Sequence, residues 1–278
     1  MGERFGVEVA SGITLAAERR PADGPPVVLL HAGVCDRRSW ADVTPALADA
    51  DVVAYDRRGF GETPAGTAAF RHLDDLYAVL DAVWPAGEPV WLVGNSMGGA
   101  LAIDAALERP ARVAGLVLVA PAVSGEPDPD TLDPATQRWA DAIDAAEAAG
   151  DLDALNEAEV ALWLDGPAGP AGRVSGPARA LLADMNAIAL RSGADEDAGA
   201  GGIDAAARIA AELRVPTTLT WGDLDLPLIV ARCERLAAEV PAIARTHVFT
   251  GTAHLPSLER PAEVAKVVAA ALSAARSS

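Results

Sequence analysis

Lysine is almost missing. The chain of 278 residues holds one, Lys266, and every other basic side chain is arginine. Together with the abundance of alanine, this reads as coding bias and carries no functional message. Positive charge is scarce in general: 22 Lys and Arg face 40 Asp and Glu, for a net charge of −18. Such a surplus repels nucleic acid and anionic membranes. It leaves neutral or cationic small molecules as the expected partners. Cysteine is scarce too. Cys35 and Cys233 lie far apart, which excludes a disulfide framework and a metal-type spacing. Both read as buried, idle thiols in a reduced, cytoplasmic setting. No apolar run approaches the length of a membrane span. The start, MGERFGVEVASG, has an early Glu and no long apolar stretch, so it does not read as a secretory signal. Gly6 stands where a myristoylation signal needs Ser or Thr. No cofactor and no metal are expected, and oligomeric state stays unassigned.

Hydrophobic residues make up 51% of the chain, enough for a large core, and the length fits one or two domains. VEVASGITLAAER alternates apolar and polar residues like an exposed hairpin. PPVVLLHA, DVVAYD, PVWLVGN and VAGLVLVAPA are continuous apolar runs, as strands buried on both faces of a parallel sheet would be. Between them SWADVTPALADA, AAFRHLDDLYAVLDAVW and MGGALAIDAALERP read as amphipathic helices. Strand alternating with helix predicts an α/β fold with a mostly parallel sheet.

The rhythm stops after Ala122. Residues 124–212 contain no convincing strand but do contain helical stretches, TQRWADAIDAAEAA and ARALLADMNAIAL, and a Gly-rich loop candidate at 193–202. The rhythm resumes with VPTTLTWGD, PLIVARCERLAAEV, ARTHVFTG and PAEVAKVVAAALSAA. The expected organisation is one α/β core, 1–123 and 213–278, interrupted by a helical insertion at 124–212.

One short stretch suggests chemistry. VGNSMGGALA places Ser96 between Gly94 and Gly98, where a strand runs into a helix. A tight turn there forces unusual backbone angles on the serine and needs small neighbours. It lifts the hydroxyl above the sheet edge, beside the N–H donors of the helix start. G-x-S-x-G alone is a weak signal in a Gly-rich chain, but four further segments stand in order around it. These are HAGVCDRRSW (31–40), YDRRGFGET (55–63), WGDLDLP (221–227) and GTAHLPSLERP (251–261).

With these five segments the chain resembles the α/β-hydrolase superfamily over almost its whole length. The resemblance implies an α/β-hydrolase fold, with an eight-stranded, mostly parallel sheet flanked by helices and a helical cap. It also implies a nucleophile elbow at Ser96, an oxyanion loop at HAGV, and an acid and a histidine late in the chain, in the order Ser, Asp, His. Ser96 is then the nucleophile, which needs a base to take its proton. Of the four histidines, His72 falls in an expected helix and His247 in an expected strand, and both read as structural. His31 has a loop-holding place. His254 follows the last strand and reads as the general base. The family's Gly-x-x-Asp, counted from Gly222, selects Asp225 as the acid behind it, with Asp223 as the alternative. The implied oxyanion donors are the N–H groups of Met97 and Gly33. Ala32 stands where many relatives have Gly, which leaves Val34 open as the second donor.

Asp56, Arg57 and Arg58 read as a structural ion-pair and turn cluster. In the insertion, Trp139, Trp163, Leu182 and Met185 are the candidate pocket walls, with packing inside the cap as the competing role for the tryptophans. The implied reaction is acyl transfer to water, as a serine esterase or lactonase acting on a small, largely uncharged substrate. The elbow is also similar to that of the meta-cleavage-product hydrolases, which break C–C bonds. However, Leu258 precedes Glu259 where that subgroup commonly has Trp. A serine in place of a nucleophilic Asp argues against epoxide hydrolase and dehalogenase chemistry. A ligand-binding protein without turnover remains the reading from another class.

Overall fold

A computed structural model describes residues 2–9, 12–127, 131–193 and 203–275. The first two strands, β1 (Glu3–Val9) and β2 (Ile13–Arg20), pair antiparallel as the alternating pattern predicts. They are followed by β3 (Pro26–Leu30), β4 (Asp51–Tyr55), β5 (Val90–Asn95), β6 (Val113–Val119), β7 (Thr217–Gly222) and β8 (Ile243–Phe249). The sheet order is β1-β2-β4-β3-β5-β6-β7-β8. β2 joins β4 antiparallel, and every later pairing is parallel.

The continuous apolar runs are explained by cover on both faces of the sheet. Val28, Leu30, Leu92 and Leu118 point into one core, and Val27, Leu29, Val93 and Val117 into the other. The first core is closed by helices α1 (His72–Val83), α2 (Met97–Glu108) and, late in the chain, α7 (Pro227–Glu239). The second is closed by α9 (Pro261–Ala275) and by Trp40.

The SWADVTPALADA stretch departs from expectation. Instead of an amphipathic helix it forms two short 3₁₀ turns, Arg37–Trp40 and Thr44–Ala46. Pro45 cannot donate the interior hydrogen bond that a continuous helix requires, and Asp36 caps the first turn by accepting from Arg38 N. Likewise α1 starts at His72 rather than in AAFR.

Between β6 and β7 the described residues form helices and turns: α3 (Pro134–Ala149), α4 (Leu152–Val160), a π turn (Ala161–Asp165), α5 (Pro177–Ser192) and α6 (Ala205–Glu212). Asp133 caps α3 and Gly150 ends it in the left-handed region at φ 65°. α6 lays Ala205 and Ile209 into the same core as α2. Apart from Gly193, which ends α5, the Gly-rich loop expected at 193–202 lies outside the described residues. A short helix, α8 (Pro256–Glu259), precedes α9. No helix among the described residues is long and apolar enough to cross a membrane.

Candidate active site

Ser96 links the end of β5 to the start of α2 with φ 54° and ψ −118°. A residue with a Cβ rarely adopts such angles, and they cost on the order of 1–3 kcal/mol. The surroundings hold them in place. Ser96 N donates to Val119 O at 3.0 Å, and Ser96 O accepts from Gly99 N (2.8 Å), Ala100 N (3.0 Å) and Ala122 N (3.0 Å). The flanking glycines are a steric requirement. A Cβ at Gly94 would overlap the Gly98 carbonyl, and one at Gly98 would overlap the Leu30 carbonyl on the neighbouring strand. Met97 opens α2, so its N–H has no acceptor within the helix.

His254 lies between β8 and α8. Its Nδ1–H donates to Asp225 Oδ2 at 2.7 Å, and both side chains are buried. Asp225 follows β7, and its other oxygen accepts from Leu226 N at 2.7 Å. Asp223 has a different partner: Oδ1 accepts the Gly251 N–H at 2.6 Å and so closes the turn at the end of β8. The His254 main chain is held from both sides. Its N–H donates to Trp163 O at 3.2 Å, and its carbonyl accepts from Asn95 Nδ2 at 3.2 Å. The Trp163 ring packs against the imidazole at 4.6 Å. The second ring nitrogen, Nε2, is buried and makes no protein hydrogen bond.

The loop after β3 is organised by His31 and Arg57. His31 Nε2 accepts the Arg57 N–H at 3.1 Å, so the ring proton sits on Nδ1, 2.8 Å from Ala32 O. Burial, and then the Arg57 charge, push the His31 pKa well below the ordinary histidine value, which keeps the ring neutral. Arg57 Nη2 donates to His31 O (3.1 Å) and Ala32 O (3.2 Å), and Cys35 N also donates to Ala32 O (3.2 Å). Asp56 accepts from Arg37 N (2.8 Å) and Glu62 N (2.9 Å) and pairs with the Arg37 side chain. Arg58 makes a fork to Asp75, with Nε at 2.7 Å and Nη2 at 2.8 Å from its two oxygens. These bonds hold the loop and its turn. The other two histidines lie elsewhere: His72 is buried at the start of α1, and His247 on β8 faces Glu263 at 2.8 Å.

A cavity of about 740 Å³ brings Ser96, Met97, Gly33, Val34 and His254 to one wall system. Of the four candidate wall residues, it reaches Trp163. Trp139, Leu182 and Met185 are not among its lining side chains. Leu182 and Met185 are fully buried with Ala32, Val34, Val160 and Leu255, where the helical segment packs onto the loop after β3. Trp139 donates Nε1 to Pro167 O at 3.2 Å, beside a separate surface groove. Apolar side chains at helical spacing serve a packing seam as well as a cavity wall, and here the seam takes them.

Three charged groups on the wall escaped the sequence reading. Glu126 pairs with Arg232 of α7 and also with Arg235. Glu159 of α4 accepts from Asn186 Nδ2 at 2.6 Å. The only signal for Arg232 was a charge on an otherwise apolar turn of α7. Both cysteines are buried, and burial pushes the thiol pKa upward, to about 12 at Cys233. Among the described residues no group of three or more His, Cys, Asp or Glu is placed to hold a metal ion.

The folded sheet, with a strained serine at its edge and a histidine–aspartate pair beside it, defines a protein class. The model of the alpha/beta hydrolase family matches residues 27–267, and the chain belongs to that family. Among curated relatives, Lipase LipV of Mycobacterium tuberculosis is 35% identical over 151 residues, which is 46% of this chain and 57% of the relative. The chain thus spans less than two thirds of the length of the curated relatives it matches first. Among solved structures, a thermophilic esterase from Thermogutta terrifontis has the same fold. Its TM-score is 0.77 at 23% identity, covering 98% of this chain and 99% of that one. The enol-lactonase from Burkholderia xenovorans LB400 does too, with a TM-score of 0.74 at 21% identity, covering 97% and 100%.

Proposed function

We propose that the protein is a serine hydrolase that cleaves a carboxylic ester or lactone of a small, largely uncharged substrate through an acyl-enzyme. The observation that carries this is the 2.7 Å contact of Asp225 with His254, which lines the same cavity as Ser96. Ser96 attacks the acyl carbon while His254 Nε2 takes its proton, and Asp225 fixes the tautomer and stabilises the imidazolium. The N–H groups of Met97 and Gly33 receive the oxyanion. For Gly33 the support is geometric. In a trans peptide the N–H points opposite to the preceding carbonyl, and three donors hold the Ala32 carbonyl on the loop side. His254 then returns the proton to the leaving oxygen, and a water, activated by the same histidine, releases the acid.

The wall's Arg232 is paired with Glu126, which suits a substrate that brings no negative charge of its own. We take α3 to α5 as the cap over the cavity, with α6 belonging to the core side through its packing on α2. The test is a fluorophosphonate probe together with a panel of p-nitrophenyl esters, lactones and a vinylogous dienoate. Labelling of Ser96 with turnover of esters or lactones is the expected result. Turnover of the dienoate alone would move the assignment to C–C hydrolysis. No labelling and no turnover would leave a binding protein.

A further inference from the structure

One side chain of the cap makes an unusual set of bonds to the histidine loop. Arg173 donates Nη1 to Gly251 O at 2.8 Å, and the same nitrogen pairs with Glu259 Oε2 at 2.7 Å. Its Nε donates to Asp165 O at 2.9 Å, and Nη2 donates to Leu164 O at 2.5 Å. Glu259 completes the link by accepting the Ala253 N–H at 2.8 Å on its other oxygen. One guanidinium therefore ties the end of the π turn to points on either side of His254. The tie is sheltered, with the Arg173 and Glu259 side chains 17% and 4% exposed. Asp165 shapes the loop that delivers Arg173: it accepts from Gly172 N (2.8 Å) and Val174 N (3.0 Å) and pairs with Arg179 at 2.7 Å. The π turn also carries Trp163, whose carbonyl and ring both contact His254.

We propose that Arg173 is a positioning residue for His254, acting from the cap through Glu259 and the Trp163 turn. The inference rests on His254 being the general base. The residues just before His254, 250–253, form no regular secondary structure, so regular main-chain pairing does not fix the ring there. A base must be held within about 0.5 Å of its productive place by its supporting shell, and a displacement near 1 Å costs on the order of 100-fold in rate. Arg173 supplies that shell with a planar fork of donors that lysine cannot reproduce. Support for the base thus comes in part from the cap, the segment that also closes the substrate cavity.

The experiment measures kcat, KM and melting temperature on p-nitrophenyl acetate for the full chain and for R173A, R173K and E259Q. S96A and H254A run beside them. The expected result for R173A is a fall in kcat of roughly tenfold or more, with KM within about twofold and a folded melting profile. R173K should recover only part of the loss. A folded R173A with wild-type kcat, beside inactive S96A and H254A, overturns the proposal and leaves the triad standing. If H254A keeps its activity, the base assignment itself has failed. If R173A does not fold, E259Q decides by the same readout: wild-type kcat overturns the proposal, and a kcat loss at constant KM supports it.

Discussion

Asp225 and Asp223 stand two residues apart and serve different loop atoms: Asp225 meets the His254 ring at 2.7 Å, while Asp223 holds the Gly251 N–H at 2.6 Å. The two carboxylates therefore predict unequal kinetics. Asp225→Asn removes the charge behind the imidazole and favours the wrong tautomer. The analogous change in a serine protease triad lowers kcat by about 10⁴-fold, and a loss of that order is expected here. Asp223→Asn loosens one turn and should cost far less. Steady-state kinetics on one ester decides, and the reverse ranking would reassign the acid.

Ser96→Ala should abolish turnover and probe labelling while the fold stays intact, because it removes a single oxygen from a half-buried site. Ser96→Gly adds a second readout. At φ 54° and ψ −118° a Cβ is strained, so the glycine variant should melt above the alanine variant. Calorimetry on the pair tests this, and equal melting points would mean that the strain does not exceed the extra unfolded-state entropy of glycine. Gly98→Ala should fail outright, since its Cβ would strike the Leu30 carbonyl.

The four candidate wall residues of the helical segment separate into two behaviours. Trp163→Ala enlarges the cavity wall and uncovers one side of His254, so acyl-chain preference should change along with kcat. Leu182→Ala and Met185→Ala open voids in a packed seam and should cost about 2–5 kcal/mol of stability, with chain-length preference retained. Trp139→Ala should leave that preference alone. Paired melting curves and a series of p-nitrophenyl esters distinguish the two groups. A shift in preference from Leu182→Ala without destabilisation would put that residue on the wall.

Asp104 on α2 gives a pH signature. Burial raises its pKa from 3.8 to about 6, against the Ser124 hydroxyl that donates to Oδ2 at 2.7 Å, and Oδ1 has no partner. The folded state therefore holds this proton more tightly than the unfolded chain. Its stabilising contribution is complete below the unfolded value and disappears as pH rises through about 6. Asp104→Asn should raise the melting temperature at pH 7–8, and the gain should vanish near pH 4. At about 1.36 kcal/mol per pH unit the full effect is bounded near 3 kcal/mol. A gain independent of pH would contradict the burial argument.

The local motifs were legible because each one is enforced by its neighbours in the chain. Gly94, Ser96 and Gly98 are adjacent in sequence for the same reason that they touch in space, and the runs of Val and Leu reflect cover on both sheet faces. The histidine loop was legible for its position after the last strand. What could not be read depends on contacts between distant segments. Leu182 and Met185 have the spacing of a wall and of a seam alike, and only the approach of Val34 and Leu255 separates the two. Arg173 lies in a Gly- and Pro-rich stretch with no pattern, and its importance appears only when Gly251 and Glu259 come within reach. SWADVTPALADA misled for a local reason: its periodicity is helical, but Pro45 interrupts the hydrogen bonds that the period requires.

The indole of Trp163 rests 4.6 Å from the His254 ring. A protonated imidazole accepts an excited electron from a nearby indole, whereas a neutral one does so poorly. The emission of Trp163 should therefore respond to the charge that the proposed mechanism places on that histidine. The emission of the wild type minus that of Trp163→Phe isolates this signal from the other five of the six tryptophans. Followed in a stopped-flow mixer, it should dim and recover once per turnover on the proposed mechanism, with no label or chromogenic substrate, and a flat trace would speak against proton transfer to His254.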